Sequence, residues 1–99
     1  MSSPKPFLLS PRARQDLAAI LQHTEEEWGE AQALRYRTKL EAALEKIGRN
    51  PDIASGRPDL PSQYRTLSVG SHAIIYQAKT NHVEVARILH QRMNRADHL

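Results

Sequence analysis

The chain has 99 residues and a mass of 11.2 kDa, with 39% apolar and 25% charged residues, which fits one small domain and leaves no room for separate catalytic and cofactor domains. Its 14 Lys and Arg against 11 Asp and Glu give a formal charge of +3, and ten of the basic residues are Arg, whose planar fork suits carboxylates and phosphates. The absence of cysteine excludes disulfides and thiolate metal sites; the first twenty residues carry Pro4, Pro6 and Pro11 without a long apolar run, so neither a signal peptide nor a spanning helix is expected and the chain is assigned to the cytoplasm.

In chain order, Lys5 to Leu9 predicts a short strand, an apolar run closed by Ser10-Pro11. Ser10 can accept an orphan backbone N–H and Pro11 forfeits a donor that has no partner at a first helical position, so a helix is predicted over 11–28. Its apolar stripe is Ala13, Leu17, Ile20, Leu21, Thr24 and Trp28, and Gly29 ends it. The run Glu25-Glu26-Glu27 near that end reads as a solvated face. A second helix over 30–47 turns Leu34 or Tyr36, Leu40, Ala43, Leu44 and Ile47 inward, with Gly48 as its stop. One glycine between two helices of roughly 27 Å implies an antiparallel hairpin.

Residues 48–63 carry Pro51, Gly56, Pro58 and Pro61 and read as a loop. Alternating segments at 64–69 and 72–79 flank Gly70-Ser71, which suits a type II′ turn, and a third strand follows Thr80-Asn81 at 83–90. The middle segment is apolar on both faces and so belongs inside the sheet. A polar tail covers 91–99. The order is β-α-α-β-β-β, an α+β fold in which an antiparallel sheet packs against an N-terminal helical hairpin, because each apolar face needs the other.

Catalytic patterns are sparse. The five histidines are never closer than eight positions, so no metal-ligand spacing arises and no metal is expected. Ser68, Ser71 and His72 lie near one turn but lack a strained nucleophile elbow. The four glycines do not cluster into a phosphate loop, so no nucleotide cofactor is expected. What stands out is a basic edge of Arg65 and Arg87 on the strands, then Arg92 and Arg95 with His90 and His98, which could hold phosphates, support RNA cleavage or dock an acidic surface, or merely solubilise the rim.

The strings Asn50-Pro51, Gly56-Arg57-Pro58, Tyr64-Arg65, Val69-Gly70 and Ile75-Tyr76 precede the block Val85-Ala86-Arg87-Ile88-Leu89-His90-Gln91-Arg92-Met93-Asn94. With the opening Leu9-Ser10-Pro11-x-Ala13 and Asp16-Leu17, they resemble the ParE branch of the RelE/ParE toxin superfamily over about residues 7–94. The resemblance implies the toxin of a bacterial type II toxin–antitoxin pair, bound by a ParD-like antitoxin in a hetero-oligomer, touching DNA only through that antitoxin and using neither cofactor nor membrane. It places antitoxin contact on Trp28, Tyr36, Leu40 and Arg65.

ParE-like members inhibit DNA gyrase without known nuclease chemistry, whereas RelE-like members cleave mRNA on the ribosome. Here Ala73 stands where the resemblance places a RelE arginine, and the tail offers His98 but no Tyr. Phosphodiester cleavage needs a base, an acid and cations; the alternative nuclease set would be Arg65, Arg87, Arg92 and His98. The favoured expectation is therefore a gyrase-binding toxin with no catalytic residues of its own, touching its target through His90, Arg92, Met93, Asn94 and Arg95, with Arg92 and Met93 as anchors.

Overall fold

A computed structural model describes residues 6–99, so Lys5, the first residue of the expected N-terminal strand, lies outside the described residues. The elements are β1 (Phe7–Leu9), α1 (Pro11–Trp28), α2 (Glu30–Arg49), β2 (Tyr64–Val69), β3 (His72–Ala78) and β4 (Val83–His90), followed by a short 3₁₀ helix (Arg95–His98).

Ser10 begins α1 as its chemistry dictates: extended at φ −62° and ψ 162°, it accepts the Ala13 N–H at 3.0 Å. Its hydroxyl also donates to the Ala86 carbonyl at 2.7 Å, tying the helix start to β4. Gly29, at φ +90°, separates the helices, and its N–H closes α1 on the Glu25 carbonyl. Gly48, expected to stop α2, is instead buried within it, and the helix runs to Arg49. The stop comes from Asn50-Pro51, since a residue before proline is driven out of the helical region and Asn50 sits at φ −144° and ψ 84°.

The sheet order is β1-β4-β3-β2. β2, β3 and β4 are antiparallel neighbours as expected, but β1 lies parallel to β4, pairing Phe7 with Val83 and Leu9 with Val85, so the four-stranded sheet is mixed. β3 lies inside the sheet and ends at Ala78 rather than Lys79, whose N–H bonds to the His82 carbonyl across the turn at 2.8 Å. Gly70 opens the β2–β3 turn at φ +56°, as the first central position of a type II′ turn requires. A β-bulge interrupts the β3–β4 ladder: Ile75 faces Arg87 but Tyr76 faces Val85, leaving Ala86 as the extra residue.

The hairpin covers one face of the sheet. Ala13, Leu40, Leu44 and Ile47 close on Ile74, Tyr76, Val83, Val85 and Ile88, all at most 2% exposed. Each fully buried aliphatic side chain contributes about 1.5–3 kcal/mol. On the other face the 50–63 loop sets Leu60 over Ile75 and Leu89 beside Tyr64. The α1 stripe runs off the end of this core: Ala13 is buried, Leu17, Ile20, Leu21 and Thr24 are half-buried, and Trp28 is 75% exposed. Leu34 points outward while Tyr36 turns in.

Candidate functional site

The hairpin tip and the β2–β3 turn enclose a cavity of about 570 Å³, walled by His23 and Trp28 of α1, Arg35 and Tyr36 of α2, and His72 and His90 of the strands. Thr24, Gln32 and Ser71 complete it. In its wall the Tyr36 hydroxyl lies 2.6 Å from His72 Nδ1 and 3.3 Å from the Val69 carbonyl, and accepts the Ser71 N–H at 3.3 Å. The phenol approaches so closely that a Cβ on Gly70 would sit 2.8 Å from the Tyr36 ring, which gives that glycine a packing reason besides its positive φ. The pairing register puts His72 opposite His90, their rings edge-to-face at 5.4 Å. Burial pushes the His72 pKa below the usual imidazole value, and the neighbouring His90 and His23 push it the same way. Burial raises the Tyr36 phenol above its ordinary value, offset in part by the Ser71 N–H.

Of the residues expected to meet an antitoxin, Trp28 and Tyr36 share this cavity. Leu40 does not: it is fully buried in the core, so its side chain packs the hairpin onto the sheet and is unavailable for contact. Arg65 lies elsewhere, donating to the Ala54 carbonyl at 2.7 Å and pairing with Asp52 at 3.3 Å, where it pins the loop after α2.

The target-contact residues follow the end of β4. His90 Nδ1 accepts the Arg92 N–H at 3.1 Å, and the Met93 N–H donates to the His90 carbonyl at 3.0 Å, so the chain turns sharply. Asn94 caps the 3₁₀ helix through the Ala96 N–H. Arg92, Met93 and Asn94 are exposed. Arg95, expected on the same surface, is only 9% exposed, its Nε buried without a partner, so it belongs beneath that surface.

Of the four residues of the nuclease alternative the fold brings Arg87 and His98 together, lining one cavity, but Arg65 and Arg92 do not join them. Arg65 pairs with Tyr76 on the hairpin side of the sheet, whereas Arg87 pairs with Ile75 on the other. All three nitrogens of Arg87 already hold a hydrogen bond. Its Nε and Nη2 donate to the Asp16 carboxylate at 2.7 and 2.8 Å, and its Nη1 donates to the His98 carbonyl at 2.6 Å. The hydrogen bonds to Asp16, with its charge, hold the Arg87 pKa above the ordinary arginine value against the opposing effect of burial. The same carboxylate accepts the Ile88 N–H at 3.0 Å, beyond the reach of β1 along the β4 edge. The sequence offers Asp16 only as part of the string Asp16-Leu17; the signal for its structural role is a lone acid three residues after Ala13 and four before Ile20, which puts it on the inward side of α1. The His23–His72–His90 grouping has no such signal, since only folding unites positions so far apart.

Among the described residues no group of three or more His, Asp or Glu side chains could hold a metal ion, and no helix is long and apolar enough to cross a membrane.

Comparison with known proteins gives a consistent result. Residues 7–95 match the family model described as "ParE toxin of type II toxin-antitoxin system, parDE". The chain is 39% identical over 95 residues to Toxin ParE1 of Caulobacter vibrioides, covering 96% of this chain and 98% of that one. It is 37% identical over 89 residues to Toxin ParE1 of Mycobacterium tuberculosis, covering 89% and 91% respectively. A solved chromosomal ParDE system from P. aeruginosa has the same fold, with a TM-score of 0.76 at 21% identity over 90% of this chain and 98% of that chain. An N-terminal helical hairpin on a four-stranded mixed sheet, matched along nearly its whole length in both sequence and structure, places this chain in the ParE toxin family of type II toxin–antitoxin systems.

Proposed function

We propose that this chain arrests growth by binding DNA gyrase, without chemistry of its own, and that a ParD-like antitoxin neutralises it by covering the hairpin-tip cavity around Trp28 and Tyr36. The supporting observation is the dispersal of the cations that phosphodiester cleavage would need: Arg65 and Arg87 occupy opposite faces of the sheet, and every nitrogen of Arg87 already donates to Asp16 or His98. A transition state that spreads negative charge needs donors already aimed at one point. What is exposed instead is Arg92 and Met93 on the turn after β4, a cation beside a flexible apolar side chain, a pairing suited to anchoring a protein interface.

The test is controlled expression in bacteria with and without a co-expressed antitoxin, following DNA-damage signalling and transcript integrity together. Damage signalling and filamentation with intact transcripts support the proposal. Codon-positioned mRNA cleavage without DNA damage overturns it in favour of a RelE-like nuclease. The double variant Arg92→Ala/Met93→Ala is expected to relieve growth arrest while keeping antitoxin binding, since the two surfaces differ; loss of both would refute that separation.

A further inference from the structure

The hairpin-tip cavity combines features that a passive apolar cleft would not need. Four of its side chains can carry positive charge, namely His23, Arg35, His72 and His90, and no carboxylate lines it. Arg35 donates through Nε and Nη2 to the Gln32 side-chain carbonyl at 3.2 and 2.8 Å, a neutral partner that leaves its charge uncompensated. Trp28 stands 75% exposed beside these groups.

The hydrogen bonds also engage one nitrogen of each strand imidazole. His90 Nδ1 accepts the Arg92 N–H, so the neutral ring keeps its proton on Nε2. The Tyr36 hydroxyl receives the Ser71 N–H and lies 2.6 Å from His72 Nδ1, so that contact holds one proton, on the phenol or on the ring according to the His72 tautomer. A second acceptor, the Val69 carbonyl, lies 3.3 Å from the same hydroxyl. When His72 is charged, with a proton on Nδ1, the hydroxyl can turn to Val69 and accept that N–H, so the charged ring loses no partner. His23, His90, Arg35 and Tyr36 are the titratable or charged groups that share the cavity with it from α1, β4 and α2. Burial lowers the His72 pKa, and the neighbouring His90 and His23 lower it further.

We propose that this cavity recognises a single carboxylate borne next to an apolar side chain on a segment of the partner protein, the carboxylate held by Arg35 and the His72–His90 pair and the apolar neighbour covered by Trp28. Charge complementarity selects this ligand. The adjoining turns carry exposed Glu25, Glu26, Glu27 and Glu30, which repel a polyanionic nucleic-acid backbone but favour a segment with basic residues flanking one acid. Arrival of the anion favours protonated imidazole, so binding takes up a proton and tightens as pH falls through the histidine range. The proposal deepens the antitoxin reading of Trp28 and Tyr36 and rests on it only for the partner's identity.

Trp28 is the sole tryptophan of the 99 residues, so its fluorescence, with NMR of the histidine ring protons, reports the cavity directly. The probe is 3-phenylpropionate, with 3-phenylpropanamide as its neutral counterpart and a short oligouridylate as the nucleic-acid arm. The carboxylate is expected to give saturable millimolar binding, about threefold or more tighter at pH 6 than at pH 8, and at least roughly tenfold weaker in Arg35→Ala, whose exposed side chain is not needed for folding. Equal binding of the amide, preference for the oligouridylate, or no saturable shift up to about 20 mM would each overturn the proposal. An antitoxin that binds Arg35→Ala as tightly as the parent leaves the toxin reading intact but overturns the carboxylate anchor. Probe binding without any antitoxin binding keeps the anion site and removes the antitoxin reading.

Discussion

Replacing Asp16 with Ala tests whether the tie between α1 and the free edge of β4 holds the fold together. The carboxylate accepts three hydrogen bonds, two from Arg87 at 2.7 and 2.8 Å and one from the Ile88 N–H at 3.0 Å. The paired side chains are only 16% and 14% exposed. Its removal leaves a guanidinium without its counter-charge and an edge N–H without an acceptor, and breaking a buried pair from one side costs about 3–5 kcal/mol. At roughly 5 °C per kcal/mol for a chain of this length, Tm is expected to fall by about 15–25 °C. Asp16→Asn, which keeps one acceptor oxygen but sets an amide N–H₂ against the guanidinium, is expected to lose about half as much. Differential scanning calorimetry in low salt and in about 0.5 M NaCl is the assay; a desolvated pair should be little screened. A fall of less than about 5 °C for Asp16→Ala, with the denaturant slope unchanged, would show that the pair contributes no more than a surface bridge. Recovery of most of the loss in Asp16→Leu/Arg87→Met would confirm that the penalty is the orphaned charge rather than misfolding.

Gly70→Ala places a methyl group 2.8 Å from the Tyr36 ring at a φ of +56° and is expected to cost about 1–2 kcal/mol for the backbone alone, while displacing the phenol from His72; an unaltered His72 ring-proton spectrum would refute the contact. Leu40→Ala removes a fully buried side chain and is expected to cost about 2–5 kcal/mol, read by urea denaturation, with an unchanged midpoint refuting the core assignment. Because burial and the neighbouring histidines lower the folded pKa of His72 below the unfolded value near 6.5, the unfolded chain binds the extra proton first. Its contribution is therefore complete above that pH and declines as pH falls toward the lowered folded value. Tm is expected to drop between pH 7.5 and 5.5, and less steeply in His72→Gln; parallel slopes would remove His72 as the titrating group.

Local chemistry made the element order legible. Ser10-Pro11 is a start signal that works through one hydroxyl, and Gly29 is a stop that works through one dihedral angle, so both could be placed from the string alone. Gly48 misled because glycine is also tolerated inside a helix when nothing demands a positive φ; Asn50-Pro51, two residues on, was the physical barrier. The parallel placement of β1 was not legible, since three residues carry no periodicity and only the returning β4 determines their partner. The same limit applies to function. Arg65 and Arg87 read as a shared basic edge because sequence gives their charge but not their face, and a one-residue difference in parity puts them on opposite sides of the sheet. Leu40 and Arg95 were credited with contacts that burial denies them.

The extra residue in β4 has a consequence for how this strand can vary in length. Losing a residue inside a strand ordinarily exchanges its two faces from that point on, turning core outward. At Ala86 the opposite holds: with that residue excised, Val85 and Arg87 become neighbours, the ladder closes into uninterrupted alternation, and His72 still meets His90. What disappears is the carbonyl that receives the Ser10 hydroxyl and the local bend that carries the edge from β1 to Asp16. The bulge is thus the one position in β4 where an evolutionary deletion would be silent in pairing and audible only at the junction with the first helix.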